Sequence, residues 1–168
     1  VVVVKDTNNN TTIGYSKPMD EIRQWPPTDG STTTGSLGQN STWTITGASY
    51  GNGEYKATSN RGLHAWNSYA AFDNIDDGSS WHTTANVRSG ILGLESPVPF
   101  VLDHYTLRHR LNSYTETGNP PRDWKVEGSN DNSTWITLDT QSSQTMTSNS
   151  EEFKGRTYYI AGNSTAYK

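Results

Sequence analysis

The chain has 168 residues, about one domain plus an extension, and its apolar share of 30 % is low against a usual value of roughly 45–50 % that counts Gly. A net charge of −4 without a Lys/Arg cluster excludes long-range capture of nucleic acid or anionic lipid. The absence of cysteine excludes disulfides and thiol catalysis, and no stretch approaches the length of a membrane-spanning helix. Six Trp and nine Tyr offset the shortage of aliphatic residues, because each buries a large area. With Thr, Ser, Asn and Gly filling the rest, the mix suits a β-sandwich with long polar loops.

Residues 1–42 read as an N-terminal arm and a Thr/Ser/Gly-rich linker. Val1-Val2-Val3-Val4-Lys5 is strongly β-prone and suited to pair with a sheet here or in a neighbour. It lacks the features of a signal peptide and follows no Met, so the expectation is a segment of a longer polypeptide or a processed product. Pro18 to Trp25 suits one or two helical turns, stopped by Pro26-Pro27. Thr28 to Ser41 reads as linker or loop.

From Trp43 strands follow one another: Trp43 to Thr46, Glu54 to Thr58, then a loop from Ser59 to Tyr69. Ala70 to Asp73 and Trp81 to Thr84 bracket the acidic turn Asn74 to Ser80. Tyr105 to Leu111 alternates, with Tyr105, Leu107, His109 and Leu111 on one face and Thr106, Arg108 and Arg110 on the other. Trp124-Lys125-Val126-Glu127 alternates too, entered through Pro120-Pro121, which lack amide donors. Gly128 to Ser133 is a dense run of turn residues, and Trp135 to Leu138 resumes the extended pattern. Gly155 to Ile160 is a further strand, and Asn163 to Lys168 leads toward another. Strands spaced by turn signals, with no βαβ alternation, make this an all-β chain and an antiparallel β-sandwich. Trp43, Trp81, Trp124 and Trp135, inside strand patterns, are assigned to its core.

The stretch Trp124-Lys125-Val126-Glu127-Gly128-Ser129-Asn130-Asp131-Asn132-Ser133-Thr134-Trp135 resembles the core hairpin of the discoidin domain, the factor V/VIII type C or carbohydrate-binding module family 32 group. Tyr50-Gly51-Asn52-Gly53-Glu54-Tyr55, Ala71-Phe72-Asp73, Trp81-His82-Thr83 and Tyr105-Thr106-Leu107-Arg108 follow that family's order. The resemblance covers 43–168 and implies a discoidin-like jelly roll whose final strand is missing. It also implies a lectin-like, carbohydrate-binding module in an extracellular or virion-surface protein. Many secreted animal members carry a disulfide, so its absence points to a bacterial, phage or viral version.

The acidic turn from Asp73 to Trp81 gathers oxygen donors on one tight loop, with Gly78 permitting the bend, which suits a hard cation such as Ca²⁺. Asp73, Asp76 and Ser79 are the candidate ligands. The resemblance implies a structural calcium through Asp73 and Ser79, although Asn74 replaces the family's usual Gly and the loop is one residue longer. The alternative is a solvated turn held by Asx hydrogen bonds. A sugar site needs an aromatic face for the apolar side of a pyranose and fixed donors or acceptors for its hydroxyls. His64, Trp66, Asn86 and Arg88 are the candidates, with Tyr114 and Asn119 behind them. The alternative for each is a residue capping the core or a solvated loop charge. His82 and His104 are read as structural.

No Gly-x-Ser-x-Gly, His-Glu-x-x-His or phosphate-cradling loop is present, and the neighbouring pairs Asp76/Asp77 and Glu151/Glu152 would diverge in an extended strand. The expectation is therefore a non-enzyme whose partners are glycans, with neighbouring subunits of a particle or a longer parent chain as the alternative. A structural or decoration role in a virus or phage particle is the competing function.

Overall fold

The computed structural model describes residues 2–5, 11–14, 23–60, 68–75, 81, 89–108, 121–144 and 155–168, with backbone alone for the first two segments. The Val-rich start forms β1 (Val2–Lys5), paired antiparallel with β2 (Thr11–Gly14). The β-prone run thus finds a partner strand within its own arm.

A four-stranded antiparallel sheet follows, in chain order: β3 (Ser31–Thr34), β4 (Asn40–Thr46), β5 (Gly53–Ser59) and β6 (Leu92–Glu95). In β4 the period of two buries Ser41, Trp43 and Ile45, and in β5 it buries Tyr55 and Ala57. Trp43 lies opposite Tyr55, and their rings stack at 5.6 Å. This cross-strand aromatic pair, with Ile45 and Ala57, is the first core cluster.

The reading of Thr28–Ser41 as linker or loop is corrected in part, since Ser31–Thr34 belongs to β3 and Asn40 and Ser41 to β4. Ser31–Thr34 is the edge strand of this sheet, in register with Trp43–Thr46 and exposed throughout. Its β-branched threonines favour extended backbone whether or not a face is buried. The segment before it is also built in. Trp25 stacks on Phe100 at 4.6 Å and meets Tyr50 edge-on at 5.5 Å, Pro26 and Pro27 are buried, and Asp29 accepts bonds from the Ser49 amide (3.0 Å) and hydroxyl (2.6 Å). The helix expected over Pro18–Trp25 falls partly outside the described residues, and Arg23–Trp25 is not helical.

Tyr50-Gly51-Asn52-Gly53 forms the β4–β5 turn. Asn52 bonds the Ala48 amide and carbonyl at 2.9 and 2.7 Å. Gly51 sits at φ 62°, where a Cβ would come within 2.7 Å of the Tyr55 hydroxyl and 2.8 Å of the Trp25 ring. Glycine is needed there on both counts.

Ala70–Asp73 is not a strand. Ser68–Ala71 is a short 3-10 helix, anchored by the buried Ser68 hydroxyl, which donates to the Ala57 carbonyl at 2.9 Å. That helix type brings i and i+3 to one side, so Tyr69 and Phe72 both pack on the first cluster, Tyr69 edge-on to Trp43 at 5.0 Å.

The described residues of the second half form three antiparallel pairs. β7 (Phe100–Val101) pairs with β12 (Ala166–Tyr167), β8 (His104–Leu107) with β11 (Arg156–Tyr159), and β9 (Trp124–Gly128) with β10 (Ile136–Gln141). On the inner face of β8–β11, Tyr105 stacks on Tyr158 at 5.3 Å, and Trp124 meets Tyr158 edge-on at 5.1 Å. The Trp124 indole donates to the Tyr105 hydroxyl at 2.8 Å, which donates to Asp139 at 2.5 Å. Burial, and then the bond to Asp139, push the Tyr105 phenol well above its ordinary value.

The turn between β9 and β10 holds itself. Ser129 Oγ accepts the Asn132 amide at 3.0 Å, and Asp131 Oδ1 accepts the Ser133 and Thr134 amides at 2.9 and 2.7 Å. These bonds keep the Asp131 carboxyl well below the usual range. The same turn grips the C-terminal segment. Asn130 donates to the Ala166 carbonyl at 3.0 Å, and the Lys168 amide donates to the Ser129 carbonyl at 3.3 Å. Asn163–Lys168 therefore does not merely lead toward a strand, since Ala166–Tyr167 already pairs along β7.

Of the core tryptophans, Trp43 is buried, while Trp81 and Trp124 are half-buried. Trp135 is 50 % exposed, which corrects its assignment. The β9–β10 register shifts between Thr137 and Asp139, so β10 contains a bulge that reverses its alternation. Trp135 and Thr137 then share the outer face, where Thr137 donates to Glu127 across the pair at 3.3 Å. Asp139 lands on the inner face opposite Val126. The architecture is all-β, antiparallel and sandwich-like, and the described strands close no barrel.

Candidate functional site

The 3-10 helix and the Trp25-Pro26-Pro27 segment stand on either side of the first core cluster, and a cleft of about 210 Å³ opens between them. Trp43 and Ile45 form its floor. Tyr69, Phe72 and Asp73 form one wall, and Pro26, Pro27 and Thr28 the other. The buried prolines are pre-set in φ and lack amide hydrogens, so their wall is stiff and offers no proline amide donor. The facing wall combines aromatic surface with a carboxylate.

Asp73 is half-buried at the end of this wall. Its Oδ1 accepts the Ile75 amide at 3.0 Å across Asn74, which sits at φ 55°. That is an Asx turn, in a conformation Asn tolerates better than most residues. Burial raises the Tyr69 phenol above its ordinary value, and the charge of Asp73 adds to the rise. The carboxylate and the phenol are therefore close enough to feel one another at the cleft wall.

Among the candidate cation ligands, Asp73 is described, whereas Asp76 and Ser79 lie outside the described residues. Asp73 begins the acidic turn and remains a hard oxygen donor, so its chemistry fits Ca²⁺, while its Asx bond fits the solvated-turn alternative. Among the described residues no three His, Asp or Glu side chains converge. The sugar candidates His64, Trp66, Asn86 and Arg88, with Tyr114 and Asn119, all lie outside the described residues.

Three groups not expected at a site come together elsewhere. Tyr159 and His104 share the outer surface of the β8–β11 pair, and Asp103, the residue before β8, brings its Oδ1 to 2.6 Å from His104 Nδ1. The structural reading of His104 overlooked the acid beside it. The alternation that turns Tyr105 inward must turn His104 outward, so this placement was legible in the sequence.

Among the described residues no helix is long and apolar enough to cross a membrane. Compared with known proteins, the chain matches no family model, no curated protein and no solved structure.

Proposed function

We propose that the chain is a non-catalytic, lectin-like module that binds glycans as part of a larger extracellular or virion-surface protein. The observation that carries this reading is the cleft beside Asp73. Its aromatic wall at Tyr69 and Phe72 suits the apolar side of a pyranose, and Asp73 and the Thr28 and Thr32 hydroxyls suit sugar hydroxyls. At about 210 Å³ it falls below the roughly 300 Å³ where drug-sized pockets begin, so it admits a single terminal sugar. The discoidin-like order of the Trp-Lys-Val-Glu-Gly-Ser hairpin and its companion stretches supports the same class. A structural calcium at the acidic turn, through Asp73, Asp76 and Ser79, belongs to this proposal.

The test is a glycan array probed with the purified chain, with and without calcium, alongside Asp73→Ala. The expected result is a hit on one class of terminal sugar that Asp73→Ala weakens. Loss of the hit on chelation, with a fall in melting temperature, identifies calcium, because an ion that binds only the folded state stabilises it. A blank array from a folded sample overturns the reading. Self-association of that sample would favour the second reading, an assembly or decoration unit of a virus or phage particle. The observation behind that reading is the β1–β2 ribbon. A two-stranded sheet leaves each strand an outer edge with no ladder partner among the described residues, and such edges recruit strands from neighbours.

A further inference from the structure

The β8–β11 pair has two unlike faces. Inward, Tyr105 and Tyr158 pack with Trp124. Outward, the register sets His104 opposite Tyr159 and Thr106 opposite Thr157. Tyr159 is 72 % exposed, a large aromatic ring left almost wholly to solvent on a strand where its neighbour Tyr158 is buried. Exposed single aromatics are common, but this one has fixed polar company. The His104 ring lies 5.8 Å from that of Tyr159, tilted by 37°.

His104 Nδ1 donates to Asp103 Oδ1 at 2.6 Å, which sets the tautomer and turns Nε2 into the acceptor of the neutral ring. Asp103 is held in turn. Its carbonyl accepts the Ile160 amide at 2.8 Å, and Asn163 donates to the Leu102 carbonyl at 3.0 Å. The Thr106 and Thr157 hydroxyls, 2.8 Å apart, tie the two strands on the same face. The arrangement is thus pre-set before any ligand arrives, which lowers the entropic cost of binding.

We infer that Tyr159, His104 and Asp103 form a second saccharide subsite on the sheet face, taking one neutral hexopyranose unit. The Tyr159 ring offers a platform for the sugar's C–H face. A hydroxyl beside it donates to His104 Nε2 or to the Asp103 carboxylate. Asp103 disfavours an anionic sugar at this point, which is the basis for choosing a neutral one. The inference shares the carbohydrate chemistry of the proposed function but none of its residues.

The test uses the full chain and three probes, methyl β-galactopyranoside, methyl α-glucopyranoside and the methyl glycoside of N-acetylneuraminic acid, followed by NMR titration. A neutral probe is expected to shift the Tyr159 and His104 resonances. Tyr159→Ala should weaken that binding about tenfold, the worth of one aromatic contact, without moving the melting temperature. Tyr159→Phe should retain binding, since the ring is kept, and Asp103→Asn should retain part of it, because its carbonyl still accepts from Nδ1. Unchanged binding in Tyr159→Ala, loss in Tyr159→Phe, or a response to the acidic sugar alone would overturn the inference. Weakening by Asp73→Ala but not by Tyr159→Ala would leave the cleft standing and remove the sheet-face subsite. The reverse would remove the cleft and leave the subsite.

Discussion

The Tyr105 hydroxyl occupies the middle of a relay in which Trp124 donates to it and it donates to Asp139. In Tyr105→Phe the indole N–H loses its acceptor and the Asp139 carboxylate loses one of its donors, keeping Gln141 and the Thr140 amide, while the rings keep their packing. The expected cost is about 1–3 kcal/mol, the penalty for part-buried polar groups left unmade, measured by urea denaturation. The pH dependence has a definite sign. The bond from Tyr105, followed by those from Gln141 and the Thr140 amide, outweighs burial and holds the Asp139 carboxyl below its ordinary value. A lowered carboxyl contributes stability above its unfolded value, about 4, and loses it as pH falls through the folded value. The gap between wild type and Tyr105→Phe should therefore hold at neutral pH and narrow below about pH 4. A gap that widens in acid would show that Asp139 is not the acceptor that matters. Tyr105 was legible as an inward residue from alternation alone, but its acceptor was not. Asp139 is 34 positions away, and the bulge in β10 decides which way it faces.

Among the elements, the β9–β10 hairpin was the easiest to read and still concealed two facts. Its turn was written in Gly128 to Ser133, a run whose side chains bond their own backbone, and the strands before and after it lie where the alternation puts them. The bulge leaves no such trace, because one extra residue changes the face of a strand without changing its composition. Hence Trp135 reads as core and stands exposed. The edge strand Ser31–Thr34 was hidden for a different reason, since a fully exposed strand has no alternation to display. The second concealed fact is the clamp on the C-terminus. Gly128 is buried, and a Cβ on it would come within 2.6 Å of the Tyr167 ring. Gly128→Ala should push β12 off β7, at a cost of about 1–3 kcal/mol for overpacking, with faster amide exchange at Lys168. An unchanged melting temperature would mean that β12 contributes little to the fold.

Among the described residues few aliphatic side chains are buried, and aromatic pairs lie at the centre of both clusters. The first cluster centres on Trp43 and Tyr55, the second on Tyr105, Trp124 and Tyr158. Trp25 connects the N-terminal side of the first cluster to β7, through its stack on Phe100 and its edge contact with Tyr50. The sequence placed the domain boundary at Trp43 because the Thr/Ser/Gly composition of 28–41 is that of a linker. Composition cannot register a tryptophan that packs on a strand 75 positions later. If the fold begins near Trp25, Trp25→Ala should cost about 3 kcal/mol, toward the lower end for a large aromatic truncated in a core, because the ring is only half-buried. It should also loosen Pro26-Pro27 and open the wall of the cleft, so sugar binding there should weaken while binding at Tyr159 persists. If residues before Trp43 were only an arm, the same substitution would change stability by less than about 0.5 kcal/mol, as surface changes do. Chemical denaturation of the two proteins separates these outcomes, since a shift of the expected size is several times the surface value.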